Sequence, residues 1–386
     1  MKVCDSNGQS GELELVRGGG SIADLSLRPW QGVQENGGMT SLGLFKSTEM
    51  VFVALLSLLV SSRYAQAAFV FGEPTNLREV IPVIDPAWDT VDCFSSDGLE
   101  VYISSYGRPG GYGDADIWVS KRASVDAAWG PLENLGSSVN TSLEDSFSSI
   151  SSDGLTLYFS SNREAGSGWY DVYMTTRASR DGPWGPAVNL GPKVNSSTTD
   201  GEPWIAANGL ELYFESRRGG QGQHDIYVMR RPTEEDPWGE PENLGPVVNS
   251  EYREQFLSLS PDGLLLLFSD HPNCGVPRPG GYGRADMWMT RRASLSDPWQ
   301  APVNLGPQVN GPGADFAPRI SPDGSMLYFG TDQTGQWENC QAPIIPILDF
   351  NSDGKVDDGD VLMLQADWGG RIRRVTLARC RGVMGS

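Results

Sequence analysis

The sequence predicts an all-β chain: a five-bladed β-propeller of four-stranded blades, closed by an N-terminal strand, with a small EF-hand-like calcium module behind it. Three observations carry this. An Asp-Gly or Asn-Gly turn returns at Asp97-Gly98, Asp153-Gly154, Asn208-Gly209, Asp262-Gly263 and Asp323-Gly324, at spacings of 56, 55, 54 and 61 residues. Landmarks that keep step over five copies define a repeat protein. The array also opens with the end of a unit, since residues 71–77 match the closing segment 184–190, while the last unit stops before its own closing segment. Two complementary fragments fit a ring, in which the N-terminal strand completes the last blade and leaves no exposed edge.

Alternation places the strands within a unit. Residues 146–151 form a first strand, Asp153-Gly154 a hairpin turn, and residues 155–160, 171–177 and 184–190 the next three strands. Asn208 keeps the third turn, because Asn before Gly supplies the same positive-φ conformation. The recurring Trp129, Trp184, Trp238 and Trp299 are expected to pack between blades. Asp116, Asp171, Asp225 and Asp286 are expected to cap the loops before the third strands by accepting from nearby amides.

Bulk composition excludes some functions. The net charge of -20 repels phosphate backbones, which argues against a nucleic-acid partner. With only two histidines, His224 and His271, a His-rich metal centre is excluded. The five cysteines show no zinc spacing; Cys93 reads as a small buried apolar residue, and Cys274 and Cys340 are a candidate disulfide pair if the chain is exported.

The ends differ from the repeats. Residues 1–38 have no periodicity and read as disordered or as a misplaced start, and residues 39–67 read as a signal peptide. Its apolar run at 51–60 is too short to span a bilayer, and Ala65-Gln66-Ala67 offers a cleavage site before Ala68. The mature chain is therefore expected to be secreted, periplasmic or at the cell surface, with no transmembrane segment. The propeller is assigned to 68–340 and a proline-punctuated linker to 341–348. A calcium-binding module follows at 349–370 and a basic tail at 371–386. In the module, Asp349, Asn351, Asp353, Asp357 and Asp360 supply side-chain oxygens and Lys355 a backbone carbonyl, at the spacing of a Ca2+ loop with glycine at its sixth position. A short apolar helix is expected at 361–368.

Two family resemblances follow from these motifs. Ser-Pro-Asp-Gly at 260–263 and 321–324, with the repeated Asn-Leu-Gly, Val-Asn, Leu-Tyr-Phe and Asp-Ile-Tyr segments, resembles the WD40-like repeat of TolB-type propellers over about residues 71–339. That resemblance implies a fold, and a family that serves as binding platform, assembly factor or enzyme accessory. The calcium loop resembles one half of a type I dockerin, which implies a cohesin-like partner. It departs from that family in having no second loop at 371–386, and in placing Asp358-Gly359 where a hydroxyl pair usually stands.

The sharpest chemical pattern is a ring of acids. Asp89, Asp145, Asp200, Glu254 and Asp315 each stand eight residues before a blade's turn. One reading makes them a channel-mouth site for a cation or sugar hydroxyls; the other makes each an acceptor of backbone amides that orders its own blade. Recurrence in every blade favours the second, because catalysis needs unlike residues. Glu144, Asp92, Glu202 and Glu251 stand outside this register. The loops between second and third strands vary, with Arg108 and Tyr112 in blade one matched by Arg278 and Tyr282 in blade four, and with Arg163, Trp169, Arg217 and Arg218 between them. Such loops suit a sugar ring or an acidic polymer. No catalytic residue is assigned. The expected role is a platform for a polysaccharide or extracellular protein, with a glycoside-active enzyme as rival and a cell-envelope assembly role as third reading.

Overall fold

The computed structural model describes residues 69–81, 84–85, 89–164, 166–220, 223–270 and 278–346, together with two short strand pairs, Lys2–Cys4 with Ser10–Glu12 and Leu364–Asp367 with Arg371–Arg374. The first pair belongs to a separate unit, Met1–Arg63, and everything else to the unit Tyr64–Ser386. Residues 39–67, read as a signal peptide, and residues 349–360, read as a calcium loop, lie outside the described residues.

Five antiparallel sheets form the propeller of the larger unit. Blade one is Asp89–Phe94, Glu100–Tyr106, Ala115–Lys121 and Glu133–Asn134. Blade two is Asp145–Ile150, Thr156–Ser161, Asp171–Thr176 and Val188–Asn189. Blade three is Asp200–Ile205, Glu211–Ser216, Asp225–Arg230 and Glu242–Asn243. Blade four is Gln255–Leu259, Leu265–Ser269, Met287–Arg291 and Val303–Asn304. Blade five has Asp315–Ile320, Met326–Thr331 and Glu338–Pro346. The five first strands lie side by side around the axis, blade five's against blade one's. The expected five-bladed, four-stranded propeller is the fold observed.

Closure follows the expected route. Thr75–Asn76 pairs with Gln341 and Cys340, and Phe69–Phe71 pairs with Ile344–Pro346, so the N-terminal segment fills the outer place of blade five. The third strand of that blade runs on to Pro346, which corrects the linker assigned from 341. Pro343 has no N–H to give, but its carbonyl accepts from Gly72 at 2.8 Å, so the ladder survives the proline. Likewise Leu364–Asp367 is a strand paired with Arg371–Arg374, not part of a helix. Gly369-Gly370 between them is hairpin-turn chemistry and a poor continuation for a helix.

The outer strands are shorter than alternation suggests, two residues instead of seven in blade two. Pro186 cannot donate to the ladder, and the Ala187 N–H donates instead to the Ser138 carbonyl of blade one. Trp184 turns inward, 9% exposed, and meets Tyr102 of blade one with centroids 6.4 Å apart. Trp299 does the same against Tyr213 of blade three. The repeated tryptophans thus cement neighbouring blades, and each such contact buries apolar area that one sheet alone cannot cover.

The repeated polar motifs form one network in each of blades one to four. Asn140 brackets Ile117, accepting from its N–H and donating to its carbonyl, both at 3.0 Å, and also donates to Asn134 Oδ1. Asn134 in turn donates to Asp116, which accepts from the Tyr112 amide. Asn195, Asn189 and Asp171 repeat this, as do Asn249, Asn243 and Asp225, and Asn310, Asn304 and Asp286. This is why Asn-Leu-Gly, Val-Asn and the third-strand aspartate recur together: each satisfies buried groups of the other two. Cys93 is buried, as expected of a small apolar residue, and Cys340 is buried with a free thiol; Cys274 lies outside the described residues.

Candidate functional site

The recurrent acids are occupied by their own blades. Asp145 accepts from the Thr141 amide at 2.6 Å, the Thr141 hydroxyl at 2.8 Å and Arg163 at 2.5 Å. Asp200 accepts from the Ser196 amide, Ser216 and Arg218, and Asp89 from the Asp85 amide, Ser105 and Arg108. Glu254 is bound by Ser250 and Arg278, and Asp315 by the Gly311 amide and Gln333. All five are buried. Arg108 and Arg278, read as ligand-gripping loop residues, turn inward onto these acids and lie over Trp118 and Trp288 at 5.8 and 4.8 Å. Tyr112 and Tyr282 are each about half exposed, one on blade one and the other on blade four, and are not brought together with the acids.

A different set of residues meets in a cavity of about 550 Å³ bounded by blades one to four. Its geometry starts from irregularity in the first strands. The register shifts between Gly201 and Trp204, with equivalent shifts in blades two, four and five. At these bulges Phe147, Glu202, Phe256 and Ala317 have φ between 50° and 55°, which L-residues rarely adopt. The bulge turns their side chains toward the axis. Phe147 and Phe256, from blades two and four, meet edge to face at 5.5 Å, and Phe316 continues the row to Trp337. The aromatics bridge the channel at this level.

Three carboxylates line the cavity. Glu144 accepts from Tyr106 at 2.7 Å, from Tyr170, and from Ser146 at 3.2 Å. Burial, then the Glu144 charge, pushes the Tyr106 phenol well up, and burial with the Glu144 bond does the same for Tyr170, so both remain donors at neutral pH. Glu215 faces Gln255 Nε2 at 2.5 Å and His224 Nδ1 at 3.1 Å. Glu202 accepts from the Phe256 amide, and its own N–H donates to Ser160 Oγ at 2.7 Å. Burial and then the charge of Glu215 raise the Glu202 carboxyl well above its usual range; the Phe256 amide and Arg319 oppose this and do not overcome it. Burial thus pushes Glu202 toward its protonated form in the cavity it shares with Glu144 and Glu215. Trp169, 73% exposed, and Arg217 also line the opening.

Below the aromatic bridge Arg319 donates to the carbonyls of Asp92 at 2.6 Å and Phe256 at 2.9 Å, tying blades one, four and five together. Asp92 accepts from Ser104 and twice from Ser148, and burial lifts its pKa to about 6. Of the acids outside the register, Glu144 and Glu202 thus reach the cavity, Asp92 lies beneath it, and Glu251 is exposed.

Sequence reasoning missed Glu215, His224, Tyr106 and Tyr170. The missing signal is departure from the blade register, read position by position. Where Glu215 stands, the other blades carry Ser104, Ser160, Ser269 and Gly330. Where Glu202 stands they carry Val91, Phe147, Phe256 and Ala317, and where His224 stands they carry Ala115, Tyr170, Ala285 and Trp337. Residues that recur hold the fold; those that break the recurrence in blade three gather in the cavity.

No family model and no curated protein matches the chain. Among solved structures it is similar to TolB from Acinetobacter baumannii, at 16% identity and TM-score 0.41 over 66% of this chain and 54% of that chain, so it spans about half that protein's length. It is also similar to an endo-arabinase from Bacteroides thetaiotaomicron, at 15% identity and TM-score 0.45 over 72% of this chain and 98% of that one. An α-L-arabinofuranosidase from Lactobacillus brevis gives 14% identity and TM-score 0.43 over 78% and 100%. Likenesses this distant assign neither substrate nor activity, and the fold assignment rests on the strand pairing itself.

Proposed function

We propose that this chain is a carbohydrate-binding propeller whose ligand sits in the cavity of blades one to four. The observation that supports it best is the placement of Glu144, Glu202 and Glu215 in one cavity, at positions where other blades carry residues of another kind. Carboxylates and phenols at different angles suit the many hydroxyls of a sugar, and the exposed face of Trp169 suits its apolar face. Incubation of the full chain with a panel of neutral and acidic oligosaccharides, followed by calorimetry, tests this. Binding that weakens in Glu144→Gln and Glu215→Gln supports the reading, and the absence of heat across the panel overturns it.

A second reading, glycoside cleavage, is favoured by the raised Glu202 carboxyl, which shares one cavity with Glu144 and Glu215. Glycosidases pair a protonated carboxyl that donates to the leaving oxygen with an ionised one that attacks or activates water. Glu202 has the first character here, and Glu144 or Glu215 is the candidate for the second. Release of reducing ends, lost by a factor of about 10²–10⁴ in Glu202→Gln, would promote this reading over simple binding.

The proposal includes export and a calcium tether. The donor set at Asp349, Asn351, Asp353, Lys355, Asp357 and Asp360, oxygen throughout, suits a hard cation, and a cohesin-like protein is the partner it would serve. One Ca2+ per full chain by calorimetry, lost in Asp353→Ala, is the expected result. No calcium heat in the wild-type chain would remove the tether from the proposal.

A further inference from the structure

The carbohydrate reading of the cavity can be narrowed by its cations. We infer that the sugar it takes carries a carboxylate, as in a short uronate oligosaccharide, and that Arg217 and Arg253 recognise it; this rests on the carbohydrate reading.

Arg217 follows the second strand of blade three. Its counterparts are used by the fold: Asn162 accepts from the Glu144 amide at 2.9 Å, Asp332 accepts from the Ala314 amide at 2.7 Å, and Tyr106 donates to Glu144 at 2.7 Å. The Arg217 guanidinium has no hydrogen-bond or ion-pair partner among the described residues, and it lines the cavity. Arg218, next in the chain, is held by Asp200 at 2.6 Å and by the carbonyls of Lys193 and Val194. Two adjacent arginines are thus assigned differently, one to the blade and one to the opening.

Arg253 breaks the register as well. The residue just before the ring acid is Glu144 on blade two, Thr199 on blade three and Ala314 on blade five, and on blade four it is Arg253. Its Nε and Nη2 donate to Gln223 at 2.8 and 2.6 Å, which fixes the guanidinium plane and leaves Nη1 without a partner among the described residues. The cavity therefore offers guanidinium donors, Arg217 and Arg253, together with the carboxylates Glu144, Glu202 and Glu215. A sugar with a carboxylate on one side and hydroxyls on the other satisfies both, because guanidinium forks match carboxylate geometry. The net charge of -20 repels long polyanions, so a short oligosaccharide fits better than a charged polymer.

The test is calorimetry on the full chain with tri-galacturonate and tri-mannuronate, their methyl esters, and a neutral trisaccharide. The acid form of at least one triuronate should bind about tenfold or more tightly than its ester. Arg217→Gln should cost a similar factor for the acid and far less for the neutral sugar, with an unchanged melting temperature because the side chain is exposed and has no partner among the described residues. Equal binding of acid and ester, or an Arg217→Gln variant that binds the acid as wild type, would overturn the acidic class and leave the carbohydrate reading intact. No binding of any of the sugars would overturn both.

Discussion

Arg177 of blade two donates to both carboxylate oxygens of Glu100 on blade one, at 3.1 and 2.6 Å, with both side chains buried. Tyr102 donates to the same carboxylate at 3.0 Å, and the guanidinium lies 4.5 Å over Trp184. Blades three and four repeat the arrangement with Glu211, Arg292, Tyr213 and Trp299. Removing one partner strands a buried charge. Glu100→Gln should therefore destabilise by about 3–5 kcal/mol, whereas the double replacement Glu100→Leu with Arg177→Met should cost far less. Urea unfolding of both variants decides it, and equal losses would sink the argument.

The pH profile of stability should peak at about pH 4, because two sets of carboxyls pull in opposite directions. Burial pushes Glu100 up, but its bonds from Arg177 and Lys121 outweigh this and hold its pKa below the ordinary range, and Glu211 behaves alike with Arg292 and Arg230. Their contribution is present above the unfolded carboxylate pKa and fades as pH falls through the lower folded value. Asp92 and Asp270 are raised by burial to about 6 and about 7, with Arg278 opposing the rise at Asp270 and Glu254 and Asp286 adding to it. In the folded state these keep protons the unfolded chain has released, so stability declines as pH rises from about 4 to about 7. Asp270→Asn should flatten that decline by a few degrees in thermal melts. Stability that climbs steadily from pH 5 to pH 8 would contradict the assignment.

Backbone strain at the channel bulges has a clean probe in Ala317, buried with φ at 53°. Ala317→Gly should stabilise by about 0.5–1 kcal/mol, because glycine reaches this region without steric cost. Ala115→Gly, in an extended third strand and equally buried, should instead destabilise by about 0.5–1 kcal/mol. The same sign at both positions would show that the bulge is unstrained.

Ring closure depends on a few N-terminal residues. Phe71 stands opposite Ile344 in the blade-five ladder and packs against the blade four–five core, with Phe69 edge-on at 5.5 Å. Phe71→Ala should cost about 1–3 kcal/mol, less than a fully buried phenylalanine. Hydrogen exchange should quicken first at Cys340 and Ile344, the residues that the N-terminal segment covers. Protection there unchanged in the variant would mean that closure does not rest on this strand.

The blade count, the turns and the closing strand were legible in the sequence because each is a local pattern repeated at a fixed interval. The interblade role of Trp184 and the capping role of Asp116 were legible for the same reason. The cavity was less so. Glu144 and Glu202 stood out only as acids off the register, while Glu215 lies within a strand whose alternation reads as ordinary and His224 stands just before one.

By itself the sequence determined the repeat, the propeller and the use of most recurrent polar residues, since a residue needed once per blade appears once per blade. Only the tertiary structure decided that each ring acid is hydrogen-bonded within its own blade and that the asymmetric carboxylates converge. Circular closure brings first strands from distant parts of the chain around one axis, and the bulges at Phe147, Glu202 and Phe256 then turn side chains into it. Neither event leaves a mark at short range. Burial beside Glu215, which raises the Glu202 carboxyl above its usual range, arises only once those strands are in place.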